Sequence, residues 1–466
     1  MKQIGTIKLF DSKDIDQNFI SIGCECADRG LYNHRKCYEA IGETGAKQAR
    51  VQTGWAICEK EPGVYHFEWL DEMIDELLSR GVKPWLNLSY GNPIYMPDAP
   101  NPTAAGCTPI LYGDEVMERW LDFVRAVTKH YRDRVTHYEV WNEPNSSLFW
   151  HPATPETLDI RDYADFVIQT SAAVHEVDPE AKVGACIDGR GFTDHQWIDL
   201  MIPKFQPGDI QFFSFHIYAI NAEYQYYPNI AYLRNLLDQN GLTDVEIWQG
   251  EGGFPSWFPE EHSMEPKSQS SEHEQAVGHL RRYFLDKSSG CALCSIFVIA
   301  DMWEKAYILP GLHDNKPAAQ GILNGLTYTK KKAHETMRRT SYLFSGDCKP
   351  VRHSTPVNEN IKEVGIDLEE PVRFVFERNG KPFYAYYLPV DVEASMPNKS
   401  GYTFTVETTK GESAPQNPVL IDMLNGEVYA IEGHADEVGN ICYTDLPIGE
   451  YPFVICDATD YEIESV

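Results

Sequence analysis

ARVQTGWAICEKEPGVYHFEWLDEMIDELLSRGVKPWLNLSYGNP, residues 49–93, contains one complete structural repeat. Ala49 to Gln52 and Lys83 to Leu88 are short apolar runs of strand length. Between them, Trp69 to Arg80 sets Leu70, Met73, Ile74 and Leu77 three and four residues apart, the spacing that gathers side chains on one helix face. Gly81 follows where a left-handed residue commonly closes a helix. Strand, helix and strand in that order form the unit of a parallel sheet covered by helices.

The same alternation extends in both directions. Strand-like runs fall at Phe19 to Gly23, Val135 to Trp141, Lys182 to Cys186, Phe212 to Ile217, Val245 to Gln249 and Cys291 to Val298, making eight in all. Helical periodicity marks Glu115 to Tyr131, Arg161 to Val177, Ala231 to Gln239, Glu272 to Asp286 and Lys330 to Phe344. Eight repeats over about 340 residues predict an α/β protein built as a (β/α)8 TIM barrel with some enlarged loops. An open doubly wound sheet would want a G-x-G-x-x-G turn after its first strand, and GCECADRG (23–30) lacks that spacing.

After Ser345 the pattern becomes short alternating strands: VRFVFER (372–378), KPFYAYYLPV (381–390), YTFTVETT (402–409), PVLIDMLNGEVYAI (418–431) and EYPFVICDA (450–458). They predict a smaller C-terminal β-sandwich, and GTIKLF (5–10) is a candidate partner for its first strands. The expected organisation is 1–18 as an N-terminal segment joining the sandwich, 19–344 as the barrel, and 345–466 as an accessory domain whose main role is to pack on the barrel.

Seventy acidic against forty basic residues give a formal charge of -30, scattered along the chain, which disfavours nucleic acid as a partner. No window approaches the roughly 18 to 20 apolar residues of a membrane span. MKQIGTIKLFDSKDIDQNF lacks a signal-peptide core, and eleven cysteines, an odd number, suit reduced thiols, so a cytoplasmic location is expected. Cys24 with Cys26 and Cys291 with Cys294 are spaced more like buried thiols than a zinc site.

In such barrels chemistry sits at the C-terminal ends of the strands. The fourth ends HYEVWNEPN (137–145) and the seventh EIWQGEGGFPS (246–256), each delivering a glutamate at its lip. Pro144 ends the one strand, and Gly252 and Gly253 the other. Alternation puts Glu251 on the face of Ile247 and Gln249, and Glu246 on the opposite face, further down. Two carboxyls in one cavity are what glycoside hydrolysis needs: one protonates the leaving oxygen while the other attacks the anomeric carbon or activates water. The charge of Glu251 should keep Glu143 protonated.

The WNEPN stretch, with a glutamate ending strand seven, resembles clan A glycoside hydrolases. Residues 49–93 and FFSFHIY (212–218) are similar to family 39, which includes β-xylosidases and iduronidases. The resemblance spans about residues 20–340 and implies a retaining enzyme with Glu143 as acid/base and Glu251 as nucleophile. It further implies that Asn142 holds the sugar's 2-hydroxyl, that Arg50 supports the nucleophile, and that His216 and Tyr218 line the sugar site. The motif around Glu251 departs from the commoner family pattern in having Gln249 and Gly250 before the glutamate.

Aromatic residues at strand ends, namely Trp55, Tyr90, Trp150, Trp257 and above all Trp303, are candidate stacking platforms for a sugar ring. Asn92 and Glu304 are candidate hydroxyl contacts. A metal-dependent hydrolase would show His-x-His after strand one, which is absent, so no metal or cofactor is expected. A transglycosylase using the same covalent intermediate remains open, as does a non-catalytic carbohydrate-binding protein, although the latter need not keep both carboxylates. The expected partner is a short oligosaccharide or glycoside, with xyloside, galactoside and arabinoside open and action from the chain end. The resemblance leans towards a homo-oligomer.

Overall fold

The computed structural model describes residues 1–218, 221, 223, 226–256, 271–302, 318–351, 371–392 and 398–465. Eight parallel strands close into a barrel: Ile20–Gly23, Gln48–Gln52, Lys83–Leu88, His137–Val140, Lys182–Ile187, Phe212–His216, Glu246–Gly252 and Leu293–Ile296, the last pairing with the first. They are called the first to eighth strands below.

Amphipathic helices surround them at Glu68–Ser79, Asp114–Tyr131, Ile160–Val177, Tyr226–Gln239, Glu272–Ser288 and Lys332–Leu343. Asp114–Tyr131 turns Met117, Trp120, Phe123, Val124, Val127 and Tyr131 into the core. Ser271 opens Glu272–Ser288 with a reciprocal capping box to Glu274, satisfying donors that a helix start otherwise leaves unpaired. The helix Tyr38–Glu43, between the first two strands, is too short for its period to be read from sequence.

Side chains fill the barrel in layers. At its base Trp85, Phe212, Trp248 and Leu293 form an apolar plug, with the Phe212 and Trp248 rings stacked 4.0 Å apart. Gly184 leaves room for this plug, since a Cβ there would lie 2.1 Å from the Phe212 ring. Above it lies a polar layer containing Ser21, Arg50, Asn87, Glu139, Ser214 and Ser295, all fully buried.

The seventh strand corrects one expectation. Trp248 pairs with Ser214 and Gln249 with Phe215, but Glu251 pairs with His216, so Gly250 is an extra residue in a β-bulge. Trp248 points into the barrel and Glu246 shares its face, receiving the Trp248 indole N–H at 2.8 Å. Strict alternation would have turned Glu251 away from the interior. The bulge, not the alternation, returns it to the mouth.

Among the described residues, seven C-terminal strands and one N-terminal strand form an antiparallel eight-stranded sheet, and three further C-terminal strands form a second sheet. Ring contacts join the two, Tyr384 to Phe404 at 5.6 Å and Tyr386 to Tyr402 at 4.8 Å, so they pack as a sandwich. The N-terminal strand Lys2–Ile7 joins the larger sheet between Glu427–Ala430 and Ile463–Ser465. It therefore pairs with late strands rather than with the first ones of the tail. Phe284 of the helix Glu272–Ser288 packs against Phe374 and Phe376 of that sheet, which seats the sandwich on the barrel. All eleven cysteines are unpaired and ten are buried. Among the described residues no helix is long and apolar enough to cross a membrane.

Candidate active site

The fourth strand ends at Val140, and the backbone then takes left-handed conformations at Trp141 (φ 68°) and Glu143 (φ 45°). Non-glycine residues adopt these rarely, and such strain concentrates where side chains must be aimed. Here the turn sends Asn142 towards Arg50, which donates to its Oδ1 at 3.0 Å, and Glu143 towards His216, whose Nδ1 lies 3.0 Å from Glu143 Oε1.

Arg50, wholly buried on the second strand, links the site together. Its Nη1 donates to Glu251 Oε2 at 2.5 Å and to Glu25 Oε1 at 3.2 Å, while Nε donates to Glu139 Oε2 at 2.9 Å and Nη2 also meets Glu139. Glu251 receives a second donor, the Tyr218 hydroxyl, at 2.5 Å on Oε1. His216 Nδ1 also stands 3.7 Å from Glu251 Oε2. One side-chain atom from each of Glu143, His216 and Glu251 lies within 4.8 Å of the others. The three could converge on a cation, but their atoms are already committed to each other and to Arg50.

Burial and charge set three of the carboxyls apart. Burial raises Glu143, and the charge on Glu251 adds to this, against the pull of His216. Burial also raises Glu25, to about 8, with Arg50 opposing and Glu251 adding. Burial works against ionised Glu139 as well, yet Arg50 and His216 outweigh it and hold that group down at about 2. Burial disfavours a charged His216 ring, but Glu251, Glu139 and Glu143 bring it up to about 10. The ring is therefore cationic near neutrality.

The structure thus gathers Glu143, Glu251, Asn142, Arg50, His216 and Tyr218 at one mouth, and disperses others. Trp55 has no exposed surface; its indole donates to Glu59 at 2.6 Å, and its ring stacks on Tyr95 and Phe123, so it belongs to the core and offers no stacking face. Asn92 is likewise occupied, donating to Glu59 O at 2.8 Å and accepting from Ile94 N at 3.1 Å. Trp150 is buried against Tyr163 and Phe166, and Tyr90, 3% exposed, accepts from Gln52. Trp257, Trp303 and Glu304 lie outside the described residues. Glu25, Asn87 and Glu139 were not singled out from sequence. Glu139 carried a signal, four residues before Glu143 on an otherwise apolar strand, whereas Glu25 in GCEC carried none.

A closed eight-stranded barrel with glutamates from its fourth and seventh strands at one mouth has the architecture of clan A glycoside hydrolases. The description Glycosyl hydrolases family 39 matches residues 48–239, and the chain resembles that family. It is 28% identical over 133 residues to a β-xylosidase of Geobacillus stearothermophilus, covering 26% of this chain and 24% of that one. It is also 28% identical over 172 residues to a β-xylosidase of Caldicellulosiruptor saccharolyticus, covering 32% of each. The matches therefore span about a quarter to a third of those relatives' length. A solved family 39 glycoside hydrolase from the gut symbiont Bacteroides cellulosilyticus WH2 has the same fold, with a TM-score of 0.68 at 16% identity over 97% of this chain and 82% of that one.

Proposed function

We propose that the protein is a retaining glycosidase in which Glu143 is the general acid/base and Glu251 the nucleophile. The observation that carries this is that one oxygen of Glu143 and one of Glu251 lie within 4.8 Å of each other, at 3.0 and 3.7 Å from a common His216 nitrogen. Retaining enzymes hold their carboxyls about 5 to 5.5 Å apart, whereas inverting ones leave about 6.5 to 9.5 Å for a water molecule.

Glu251, oriented by Arg50 and Tyr218, attacks the anomeric carbon as Glu143 gives its proton to the departing oxygen. The covalent glycosyl ester that results is hydrolysed by water, which Glu143, now ionised, deprotonates. Asn142, fixed by Arg50, faces the sugar's 2-hydroxyl. These steps need no cofactor. The β-xylosidase relatives favour an exo-acting enzyme on short xylosides, with galactosides and arabinosides as the next candidates. Eleven unpaired thiols support a reducing, cytoplasmic setting.

A panel of nitrophenyl glycosides, with the first-formed anomer observed by NMR, tests the reading. Retention is expected. Glu251→Gln should abolish turnover, and Glu143→Gln should reduce it roughly 10²- to 10⁴-fold on substrates with poor leaving groups. An inverted first product, or wild-type turnover in either variant, overturns the assignment.

A further inference from the structure

Arg50 is a single cation among three carboxyls, and its Nη1 edge is shared unequally: Glu251 is held at 2.5 Å, Glu25 at 3.2 Å. Glu25 reaches that place because Gly23, two residues earlier, has no side chain; a Cβ there would lie 2.1 Å from Glu25 Oε2. The residue is 1% exposed, and Oε2 has neither exposure nor a hydrogen-bond partner. An ionised carboxylate in this position would bury a charged oxygen with no donor, a far costlier arrangement than burying a neutral hydroxyl.

Among the groups facing Glu25, Glu251 favours the neutral carboxyl together with burial, and Arg50 opposes it. Arg50 approaches from the second strand, Glu251 from the seventh, and Tyr218 from the segment after the sixth. Cys24 and Cys26 flank it on its own segment, and Tyr32 follows; burial raises all three, so they remain uncharged around neutrality. In the resting state that the proposed mechanism requires, with Glu143 as the acid and Glu251 as the attacking carboxylate, a neutral Glu25 leaves Glu139 and Glu251 balanced by Arg50 and His216, two charges of each sign. With Glu25 ionised the cluster carries an uncompensated negative charge beside the proposed nucleophile.

We infer that Glu25 is a positioning residue that acts in its protonated form, leaving the Nη1 edge of Arg50 to Glu251. When Glu25 loses its proton, it becomes a second anionic acceptor for that edge, Arg50 is drawn from Glu251, and turnover falls. This rests on the retaining reading above, and the experiment separates the two.

The test is the pH dependence of kcat/KM on a dinitrophenyl glycoside, whose leaving group departs without a proton, so that ionisation of Glu143 does not enter the first step. Wild-type turnover, and its loss in Glu251→Gln, tests the glycosidase reading alone. Glu25→Gln, which fixes the neutral form, is expected to move the alkaline limb upward by about one pH unit or more while the acid limb stays in place. An unmoved alkaline limb overturns the inference. So does loss of activity across the whole pH range, since that would mean the charged form is required. A second measurement needs no Glu25 variant: in Glu143→Gln, the infrared carbonyl band of a buried protonated carboxyl should be present at neutral pH and vanish on alkaline titration. Its absence at neutral pH also overturns the inference.

Discussion

Replacing Gly250 by alanine probes whether the bulge positions Glu251. The added Cβ would lie 1.9 Å from Ser214 Oγ, 3.1 Å from Ser214 Cβ and 3.4 Å from Glu139 Oε1. Rotating the Ser214 hydroxyl away removes the first contact only, because its own Cβ remains too close. Restoring ordinary contact with Oγ by backbone movement alone takes a shift of about 1.5 Å, against a normal separation of about 3.5 Å. That movement falls on the residue before Glu251 or on the one two before His216. Overpacking of this kind costs about 1–3 kcal/mol, which for a barrel of this size lowers the midpoint of thermal unfolding by about 1–5 °C. A carboxylate displaced by about 1 Å loses about 10²-fold in turnover. Calorimetry and glycoside hydrolysis should therefore both report the change, and a second substitution, Ser214→Gly, should recover much of each. A Gly250→Ala protein with wild-type melting and wild-type kcat would refute the account of the bulge.

Three further outcomes are expected. Tyr218→Phe removes a hydrogen bond to a carboxylate, worth about 1.5–3 kcal/mol, so kcat/KM should fall about 10- to 100-fold; melting should change little, because the residue is 39% exposed. In acid, Glu139, held down at about 2, contributes stability above the ordinary carboxyl range that disappears as pH falls towards 2. Glu25, raised to about 8, acts with the opposite sign, because the unfolded chain ionises it first and stability declines as pH rises towards 8. Glu139→Gln should flatten the acid side of a denaturation series, and Glu25→Gln the neutral side. Trp55→Phe should leave KM unchanged while lowering stability by about 1–3 kcal/mol, since it opens a gap in the core and removes a donor from Glu59; a raised KM would return Trp55 to the sugar site.

The barrel was legible because its signals are local. Each strand and helix carries its own period, and Leu70, Met73, Ile74 and Leu77 declare a helix face whatever surrounds them. The glutamates were legible for a similar reason: each follows an apolar strand-like run closed by a breaker, Pro144 or Gly252, and a strand end in this fold is a position at the mouth, although the fourth strand stops earlier than Pro144 suggested, at Val140. What escaped depends on partners distant in sequence. The bulge at Gly250 exists only relative to the sixth strand, so alternation along the seventh gave the wrong parity for Glu251, which reaches the mouth all the same. Trp55 follows the second strand directly and was expected at the rim, but Gly54 (φ 62°) turns the chain into the short helix Trp55–Cys58 and takes the indole into the core. The partner of the N-terminal strand is set by pairing across more than 400 residues, which no local pattern records.

The polar layer explains why the site is built from strands rather than from loops alone. Asn87 Oδ1, Ser214 Oγ, Gln249 Nε2 and Ser295 Oγ are buried without a hydrogen-bond partner among the described residues, while Glu139 Oε1 and His216 Nε2 face each other at 3.9 Å. Apolar residues at several of these positions would give a more stable barrel, by the usual cost of unsatisfied buried polar groups. At Asn87 the reason lies in Arg50, because Asn87 donates at 2.8 Å to the Glu139 carboxylate that pairs with it. A guanidinium buried this deeply must have Glu139 beneath it, and Glu139 fixes the plane from which Nη1 reaches Glu251 and Nη2 reaches Asn142. Gly250 is small because Ser214 already fills the space beside it, with Glu139 Oε1 next in line at 3.4 Å from where a Cβ would stand. The orientation of the proposed nucleophile is thus set one layer below the chemistry, by a buried ion pair whose cost the apolar plug and the helical shell must offset.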